Sequence, residues 1–443
     1  MKHLKVSTGL LALLTLLILL ATACAPVAAP APAAPTGVSP QPTAPPAAAE
    51  KIKLSVWKAP HNPKDQDFWN EKLAAYMKDH PNVEVEYRIT PWDTWHETYT
   101  AAFAGDNPPD ISYVVNSFFP KYADAGSLVD LKTLESADLK KWEPLFDKDL
   151  WGLGSRDGKQ YGIPFLQAGI SFVWNKKLFQ EAGLDPDSPP KTWDELRTYA
   201  QKLTKTDASG KVVQWGYSIM DDTTGEMVNF VPVPIINYGG DLATPDDKKW
   251  IATGDGYVDG LQIQADMILK DKTAPPLGTF VGHDIDKAFL DGKIAMQLSY
   301  SSFLIPLMKD YADFDMGVGM PPAGPKNAFS FGGVGYWMMA SKSQHKKEAW
   351  DLIEYLSSGP VMSDYAKLTR LFHSRSDINP FAGEKLMEEF AKTQRGYART
   401  PTLPFDYWGI LVPEIGAVLN GQKGASDALD TASKRINDKL AAP

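Results

Sequence analysis

The sequence predicts an α/β fold, and its length allows two domains. Between residues 51 and 115, three strand patterns alternate with two helix patterns, which is the order that builds a parallel sheet. The chain has 443 residues, more than a single hydrophobic core usually organises. Its 44% hydrophobic and 22% charged residues are typical of a globular protein.

The first five elements follow from periodicity. Residues 52–57 and 83–89 alternate apolar and polar side chains, which predicts two half-buried strands. Helical spacing predicts helices over 67–80 and 94–104, and the apolar run 111–115 predicts a buried parallel strand.

Capping and breaking signals organise the rest of the chain. An extended run at 170–174 precedes a short helix at 177–182, and prolines exclude helix from the following loop. Thr192 then caps a new helix, with Glu195 as the second half of a capping box. The remaining patterns predict strands at 212–218, 294–298, 316–321 and 331–340, and helices at 258–270, 283–290, 346–356 and 426–440.

Charge and cysteine content exclude several classes of protein. The net charge is −9 and no Lys/Arg cluster is present, which argues against nucleic-acid binding. The single cysteine, Cys24, excludes disulfides, thiolate metal sites and cysteine catalysis in the folded part. The sequence has no HExxH, Walker A or GxSxG motif, so we predict no metal, no cofactor and no catalytic residues.

The amino-terminal residues predict export. Lys2 and Lys5 precede an apolar run at 10–20 that is too short for a membrane span, and Cys24 follows where a lipoprotein signal would place it. We therefore expect residues 1–23 to be a signal peptide and Cys24 to be lipidated. An ordinary secretory signal or a retained anchor remain the alternatives.

Residues 24–50 consist almost entirely of small residues and prolines. Such a composition favours extended, polyproline-like chain. We expect this segment to tether a folded domain to the outer face of the cell membrane.

Several segments resemble the family-1 extracellular solute-binding proteins, which are maltose-binding-protein-like and deliver sugars to bacterial ABC importers. They are GDNPPDISYVV (105–115), YGIP (161–164), WNKKLFQEAGL (174–184), PPKTWDEL (189–196), AFLDGKIAM (288–296) and VLNGQKGASDALDTASKRIN (418–437). The resemblance implies a two-lobed periplasmic-binding-protein fold, with a ligand cleft between lobes joined by hinge crossings near Phe165, Phe331 and Arg375. It implies a first lobe of residues 51–165 plus 333–375, and a second lobe of 166–332 plus 376–443.

A cleft that binds a pyranose offers aromatic rings to its apolar face and hydrogen-bonding groups to its hydroxyls. In doubly wound sheets the ligand lies beyond the carboxyl ends of the strands. Residues after predicted strands or in the glycine-rich segment are therefore candidate ligand contacts: Trp57, Lys58, His61, Asn116, Ser117, Phe118, Gln167, Tyr300, Ser302, Gly333 and Trp337.

The resemblance adds further positions. In the family a sugar-stacking tryptophan precedes the carboxyl-terminal helices, which implies that role for Trp408. The segment after strand 212–218 often lines the cleft in the family, and the LFHSR stretch offers a cation. These similarities add Glu226, Asn229, Tyr238, Trp408 and Arg375 to the candidates.

Three functions are compatible with the sequence. The first is a monomeric binding protein that passes a neutral mono- or oligosaccharide to an ABC transporter permease. The second keeps the fold but binds another polar solute such as glycerol phosphate, for which few cationic candidates stand out: Lys58, His61 and Arg375. The third is a secreted carbohydrate-active enzyme that uses a pair of cleft carboxylates.

Overall fold

Strands and helices alternate through the computed structural model of the chain, which describes residues 51–220, 227–280, 282–394, 401, 403 and 407–442. The strands are β1 (Ile52–Lys58), β2 (Val83–Ile89), β3 (Ile111–Val115), β4 (Ser155–Arg156), β5 (Lys159–Gln160), β6 (Gly162–Gly169), β7 (Ser171–Asn175), β8 (Lys205–Thr206), β9 (Val212–Gln214), β10 (Met296–Ser299), β11 (Met316–Gly319), β12 (Gly332–Met339) and β13 (Phe372–His373).

The helices lie between and after these strands. They are α1 (Asp65–Asp79), α2 (Trp92–Ala104), α3 (Phe119–Asp124), α4 (Leu139–Trp142), α5 (Lys148–Leu153), α6 (Lys176–Glu181), α7 (Trp193–Leu203), α8 (Met227–Phe230), α9 (Pro232–Gly239), α10 (Asp255–Leu269), α11 (Asp284–Leu290), α12 (Ser301–Leu304), α13 (Lys346–Leu356), α14 (Gly359–Thr369), α15 (Lys385–Lys392), α16 (Trp408–Leu419) and α17 (Ala425–Ala441).

The larger sheet has the order β13-β6-β12-β3-β1-β2. Strand β1 pairs in parallel with β2 and with β3, so the predicted β-α-β-α-β unit with a parallel core is confirmed. The long strand β12 runs antiparallel to both β3 and β6. Its amino end therefore lies at the edge where β1, β2 and β3 have their carboxyl ends.

The smaller sheet has the order β10-β7-β11, and β7 pairs antiparallel with both neighbours. Gly317 in β11 is required by this pairing, because a Cβ there would lie 1.9 Å from the ring of Trp174 in β7. The predicted strand at 212–218 is shorter than expected. It ends at Gln214, and the chain beyond it packs closely against α7, where a Cβ on Gly216 would lie 2.0 Å from the carbonyl oxygen of Ala200.

Separate hydrophobic cores surround the two sheets. One layer against the larger sheet includes Trp69, Trp337 and Trp350, and a second layer on the sheet includes Trp95 and Tyr336. Another core, built largely from residues 170–331 and 403–436, surrounds the smaller sheet. We call the parts around the larger and smaller sheets the first and second lobes; the exact residues where one lobe ends remain a prediction.

The starts of two helices differ from the predictions. Helix α2 begins at Trp92 instead of Thr94, because Pro91 supplies an extended residue directly before the first turn. Helix α13 ends at Leu356 as predicted, and Gly359 and Pro360 then open α14, which was not predicted. Proline fits a first helical turn because its missing N–H would have no partner there.

The predicted capping box at α7 is present. The Thr192 hydroxyl accepts a hydrogen bond from the Glu195 amide at 3.2 Å. The Glu195 carboxylate accepts from the amide of Lys191 at 2.7 Å, one residue before the expected partner. Both contacts fix the point at which the chain enters the second lobe's first long helix.

We expect Thr192→Ala to lower the free energy of unfolding by about 1 kcal/mol, because the Glu195 amide loses its partner. Thr192→Ser, which keeps the hydroxyl, should remain within a few tenths of a kcal/mol of the wild type. Urea denaturation followed by circular dichroism measures both values. Equal stability of the alanine and serine variants would contradict the capping role.

Candidate functional site

The carboxyl ends of β1, β2 and β3 bring three chain segments together. His61, which follows β1, contacts Trp92 after β2, with ring centroids 5.4 Å apart and planes at 81°. It also contacts Tyr113 of β3 at 5.2 Å and 82°. The imidazole therefore lies between aromatic rings at the edge where ligands bind in sheets of this kind.

A buried ammonium group fixes the orientation of His61. Four acceptors share the three N–H groups of Lys58 Nζ: Asp65 Oδ2 at 3.1 Å, the carbonyl of Ala59 at 2.7 Å, Tyr365 at 2.5 Å and His61 Nδ1 at 2.9 Å. Because an ammonium can only donate, Nδ1 accepts and the imidazole proton is on Nε2.

The electrostatics of this cluster favour a neutral imidazole. Burial, reinforced by the charge of Lys58, holds the pKa of His61 well below its ordinary value. Burial also lowers the pKa of Lys58 to about 8, against the opposing effect of Asp65. Lys58 is fully buried and paired, so it offers no free charge to a solute in this structure.

The segment after β3 is attached to the start of β12. Asn116 donates its backbone amide to the carbonyl of Val334 at 2.9 Å, and its side-chain oxygen accepts from the Val334 amide at 3.1 Å. The neighbouring Ser117 and Phe118 are half-buried, and Phe118 packs 5.1 Å from Trp95. This places three of the predicted contacts beside β12, which we call the crossing strand because the chain reaches it directly from β11 of the smaller sheet.

Glycines on β12 shape the space beside the crossing. No described atom lies within 4 Å of the position that a Cβ on Gly333 would occupy, and its register partner is the small Ala168. At Gly335 the opposite holds, since a Cβ would lie 1.9 Å from the hydroxyl of Tyr113. Gly333 thus borders open space, whereas Gly335 admits the Tyr113 side chain.

The second lobe contributes one aromatic ring, that of Trp408, beside the start of β12. Trp408 begins α16 and meets Phe331, the residue before β12, with centroids 5.9 Å apart and planes at 80°. The predicted contact Tyr300, at the carboxyl end of β10, is instead buried in the second lobe's core, where it packs edge-on against Phe303 at 5.1 Å. Ser302 is half-buried on α12, and Asn229 is half-buried on α8.

Other predicted contacts have structural partners instead. Trp57 is half-buried beneath the guanidinium of Arg88, 4.4 Å from its ring centroid. Trp337 is 0% exposed inside the first lobe's core, so it presents no surface to a solute. Tyr238 donates to Asp194 at 3.2 Å on the outside of α7, and burial together with that carboxylate raises the pKa of its phenol.

Arg375 is committed to an ion pair. Its Nε and Nη2 donate to the two oxygens of Asp377 at 2.8 and 2.6 Å, and Nη1 donates to the carbonyl of Ser357 at 3.2 Å. The side chain is only 10% exposed and lies over Trp142 and Phe146. Its planar group is therefore used to hold the segment after β13 against the first lobe.

A cavity of about 440 Å³ lies beside the crossing predicted near Arg375, bordered by β6, β13 and α15. Gln167 borders it and donates to the carbonyl of His373 at 3.0 Å. Burial lowers the pKa of His373 to about 4. The other lining residues include Phe372, Arg375, Phe381, Met387 and Gln394.

Sequence reasoning missed Trp92. Residues 90–92 follow β2 directly, in the same position as the contacts predicted after β1 and β3. Trp92 is the most exposed tryptophan of the described residues, at 45%. The helix predicted over 94–104 did not include it, whereas α2 begins at Trp92.

Two predicted positions, Cys24 and Glu226, lie outside the described residues. Within the part of the chain that the structure describes, no cluster of three or more His, Cys, Asp or Glu side chains could hold a metal ion. In that same part, no helix combines the length and apolar character needed to cross a membrane.

Comparisons with known proteins agree with this architecture. The family model for bacterial extracellular solute-binding proteins matches residues 60–360. The sn-glycerol-3-phosphate-binding periplasmic protein UgpB of Brucella melitensis is 29% identical over 415 residues, covering 84% of this chain and 90% of that protein.

Solved structures show the same two-lobed fold. The substrate-binding protein Lmo0181 of Listeria monocytogenes, in complex with cycloalternan, superposes with a TM-score of 0.73 at 20% identity, covering 89% of this chain and all of that one. Maltose-bound MalE3 of T. maritima gives 0.72 at 20% identity, covering 88% of this chain and all of that one. The chain therefore belongs to the bacterial extracellular solute-binding proteins, the exported ligand-capturing components of ABC transporters.

Proposed function

We propose that this protein captures a neutral mono- or oligosaccharide between its lobes and delivers it to the permease of an ABC transporter. Ligand contacts with both lobes form only when the lobes close. Binding then shifts an open–closed equilibrium by the ligand's differential affinity for the closed state.

The observation that carries this proposal is the chemistry beside the crossing. Trp408 of the second lobe begins α16 and contacts Phe331, while His61 and Trp92 of the first lobe supply rings directly after β1 and β2. The space bordered by Gly333 lies beside Phe331, the ring that Trp408 contacts. Aromatic rings bind the apolar face of a sugar, and the polar groups between them can pair with hydroxyls.

Glycerol phosphate is the second candidate, because the similarity to UgpB extends over 84% of this chain. A phosphate dianion favours several free cations or a bidentate arginine. Two of the three cationic groups predicted for the cleft, Lys58 and Arg375, are paired with Asp65 and Asp377. The third, His61, is held neutral, which favours an uncharged ligand.

The proposal includes no catalysis, because closure and release suffice for transport. It also includes anchoring through a lipidated Cys24 and action as a monomer. Inhibition of signal-peptide removal by globomycin in an expressing bacterium would test the lipidation of Cys24. Light scattering of the purified protein would test whether it is a monomer.

A thermal-shift panel tests the ligand class. We expect at least one of maltose, cycloalternan, mannotriose and tagatose to stabilise the protein, by about 2.7 kcal/mol at 100 times its Kd. Glycerol 3-phosphate should have no effect. Stabilisation by glycerol 3-phosphate alone would replace the first candidate with the second.

Two further measurements separate the remaining alternatives. Small-angle scattering should show compaction with the stabilising sugar, and its absence would contradict lobe closure. The labelled sugar should be recovered intact after incubation, whereas hydrolysis products would indicate an enzyme.

A further inference from the structure

Tyr113 brings a buried hydroxyl to the face of β12 that borders the open space at Gly333. Its register partner on β12 is Trp337, so both side chains point to one face of the sheet. Positions two residues apart on a strand share a face, so Gly335 and then Gly333 follow Trp337 toward the amino end of β12. A Cβ on Gly335 would lie 1.9 Å from the Tyr113 hydroxyl. The phenol therefore extends over Gly335 and ends about 7 Å, or two strand residues, before Gly333.

A hydrogen bond from His61 leaves the proton of this phenol unused. Lys58 lies 2.9 Å from Nδ1 of His61 and donates to it, so Nε2 carries the imidazole proton. Nε2 lies 3.3 Å from the Tyr113 hydroxyl and donates to the phenol oxygen. In the part of the chain that the structure describes, His61 Nε2 is the only hydrogen-bond partner of this hydroxyl. The phenol O–H remains to donate elsewhere, and the neighbouring open position is the one at Gly333.

Packing does not explain why residue 113 carries a hydroxyl. Tyr113 is 2% exposed, and its ring packs against Phe165 and Trp337 with centroids 6.3 and 5.8 Å away. A phenylalanine would make the same ring contacts without burying a donor that lacks an acceptor, which is unfavourable. Burial also raises the pKa of the Tyr113 phenol, so the O–H keeps its proton. The hydroxyl is therefore better explained by a solute that accepts this proton.

We propose that Tyr113 donates a hydrogen bond to an oxygen atom of the bound solute, and so selects a ligand with a hydroxyl or ether oxygen at this point over its deoxy analogue. The proposal rests on the carbohydrate function proposed above. Lys58 and His61 are positioning residues, because they keep the imidazole proton on Nε2 and so leave the phenol proton for the solute. A site built to pair with an oxygen rejects an analogue that lacks it, since its own polar group is then unpaired.

Loss of the Lys58 proton should reverse the hydrogen bond between His61 and Tyr113. Burial lowers the pKa of Lys58 to about 8. A neutral amine can accept a hydrogen bond, so the imidazole proton can then move to Nδ1, and Nε2 accepts from the Tyr113 O–H. The phenol proton is then withdrawn from the solute. Affinity should therefore fall as the pH rises through 8.

The titratable groups that face Lys58 are Asp65 on α1, Tyr365 on α14, His61 and Tyr113. Burial raises the pKa of both phenols and holds the pKa of His61 well below its ordinary value. Both phenols therefore stay protonated and the imidazole stays neutral between pH 7 and pH 9.5, and carboxyl groups titrate far below that interval. A change of affinity in this interval therefore reports the charge of Lys58.

Isothermal titration of the full-length protein with maltose, cycloalternan, mannotriose and tagatose at pH 7 and pH 9.5 tests the donor role. Tyr113→Phe removes only the hydroxyl and should weaken binding of the tightest of these sugars about 10-fold at pH 7. The wild type should lose at least about threefold in affinity for that sugar from pH 7 to pH 9.5. Tyr113→Phe should change by less than about twofold, because it has no phenol proton to withdraw.

Tyr336→Phe is the matched control. This buried tyrosine is the neighbour of Gly335 on β12 but points to the opposite face, where its hydroxyl donates to the carbonyl of Leu150 at 2.7 Å. Its sugar affinities and their pH dependence should equal those of the wild type. An equal loss of affinity in the two tyrosine variants would show that Tyr113 acts only through folding, and would overturn the donor role.

Nitrogen-15 NMR of the ligand-free protein tests the hydrogen-bond direction without any sugar. The His61 signals, identified by their absence from His61→Gln, should show the Nε2–H tautomer at pH 7. An Nδ1–H tautomer at that pH would overturn the proposal and leave the carbohydrate function untouched. This measurement and the wild-type pH dependence decide the question even where Tyr113→Phe does not fold.

The titration results separate this proposal from the function on which it rests. If none of the four sugars binds the wild type, both are overturned. If a sugar binds the wild type and Tyr113→Phe equally well, the donor role is overturned and the carbohydrate function stands. The same holds if wild-type affinity is equal at pH 7 and pH 9.5.

Discussion

Gly333→Phe should abolish sugar binding while leaving the protein folded. The site of the new side chain is open, because no described atom lies within 4 Å of its ideal Cβ. The backbone there is ordinary β12 strand, which accepts any L-residue. A phenyl ring at this position would occupy the space beside Phe331 and its partner Trp408, and we expect affinity to fall by more than about 100-fold.

Gly152→Phe provides the matched control for this prediction. Gly152 also borders open space, with no described atom within 4 Å of its ideal Cβ, but it lies on α5. Both variants should unfold at similar denaturant concentrations, and only Gly333→Phe should lose the ligand-induced thermal shift. Retained binding in a folded Gly333→Phe protein would move the ligand site away from the crossing strand.

Local patterns were sufficient to predict much of the fold. Alternation of apolar and polar side chains identified β1 and β2, because a strand that is buried on one face has this pattern. The apolar run identified β3, which is buried on both faces. The antiparallel pairing of β7 with β10 and β11 was not predicted. Such pairing joins strands more than 100 residues apart, and no local signal specifies the partner.

The site was harder to predict than the fold, since the role of a long or polar side chain depends on distant partners. Lys58 was predicted to meet ligand but is buried against Tyr365, 307 residues away in the chain. Arg375 was predicted as a ligand contact but pairs with Asp377, two residues away, which sequence inspection could have suggested. Trp92 could also have been predicted as a ligand contact, because it follows β2 just as the predicted contacts follow β1 and β3.

Among single substitutions at the carboxyl ends of β1, β2 and β3, Lys58→Met should lower the free energy of unfolding most. It leaves Asp65 Oδ2 buried with the Tyr365 hydroxyl and the His61 amide as its remaining donors, at 2.7 and 2.9 Å. Breaking a buried ion pair from one side typically costs 3–5 kcal/mol, so we expect a loss of about that size in urea unfolding. The double variant Lys58→Met with Asp65→Leu should recover part of it, because no unpaired charge remains.

The same variant tests the charge state of Lys58 through pH. The folded pKa of about 8 lies below the ordinary value of 10.5, so between those values the unfolded chain binds more protons than the folded protein. Stability contributed by this group therefore rises with pH across that interval, and Lys58→Met lacks the rise. The wild type should gain about 2 kcal/mol relative to the variant between pH 8 and pH 10.

Taking the difference between the two proteins removes the effect of the buried tyrosines. Burial raises the pKa of Tyr76 to about 12, so this phenol stays protonated in the folded protein after its unfolded counterpart ionises and lowers stability above pH 10 in both proteins alike. A pH-independent difference would show that Lys58 keeps its ordinary pKa despite full burial. In that case Asp65 and Tyr365 compensate the cost of burying the ammonium. The contact between Lys58 and His61 Nδ1 would then be the same at every pH from 8 to 10.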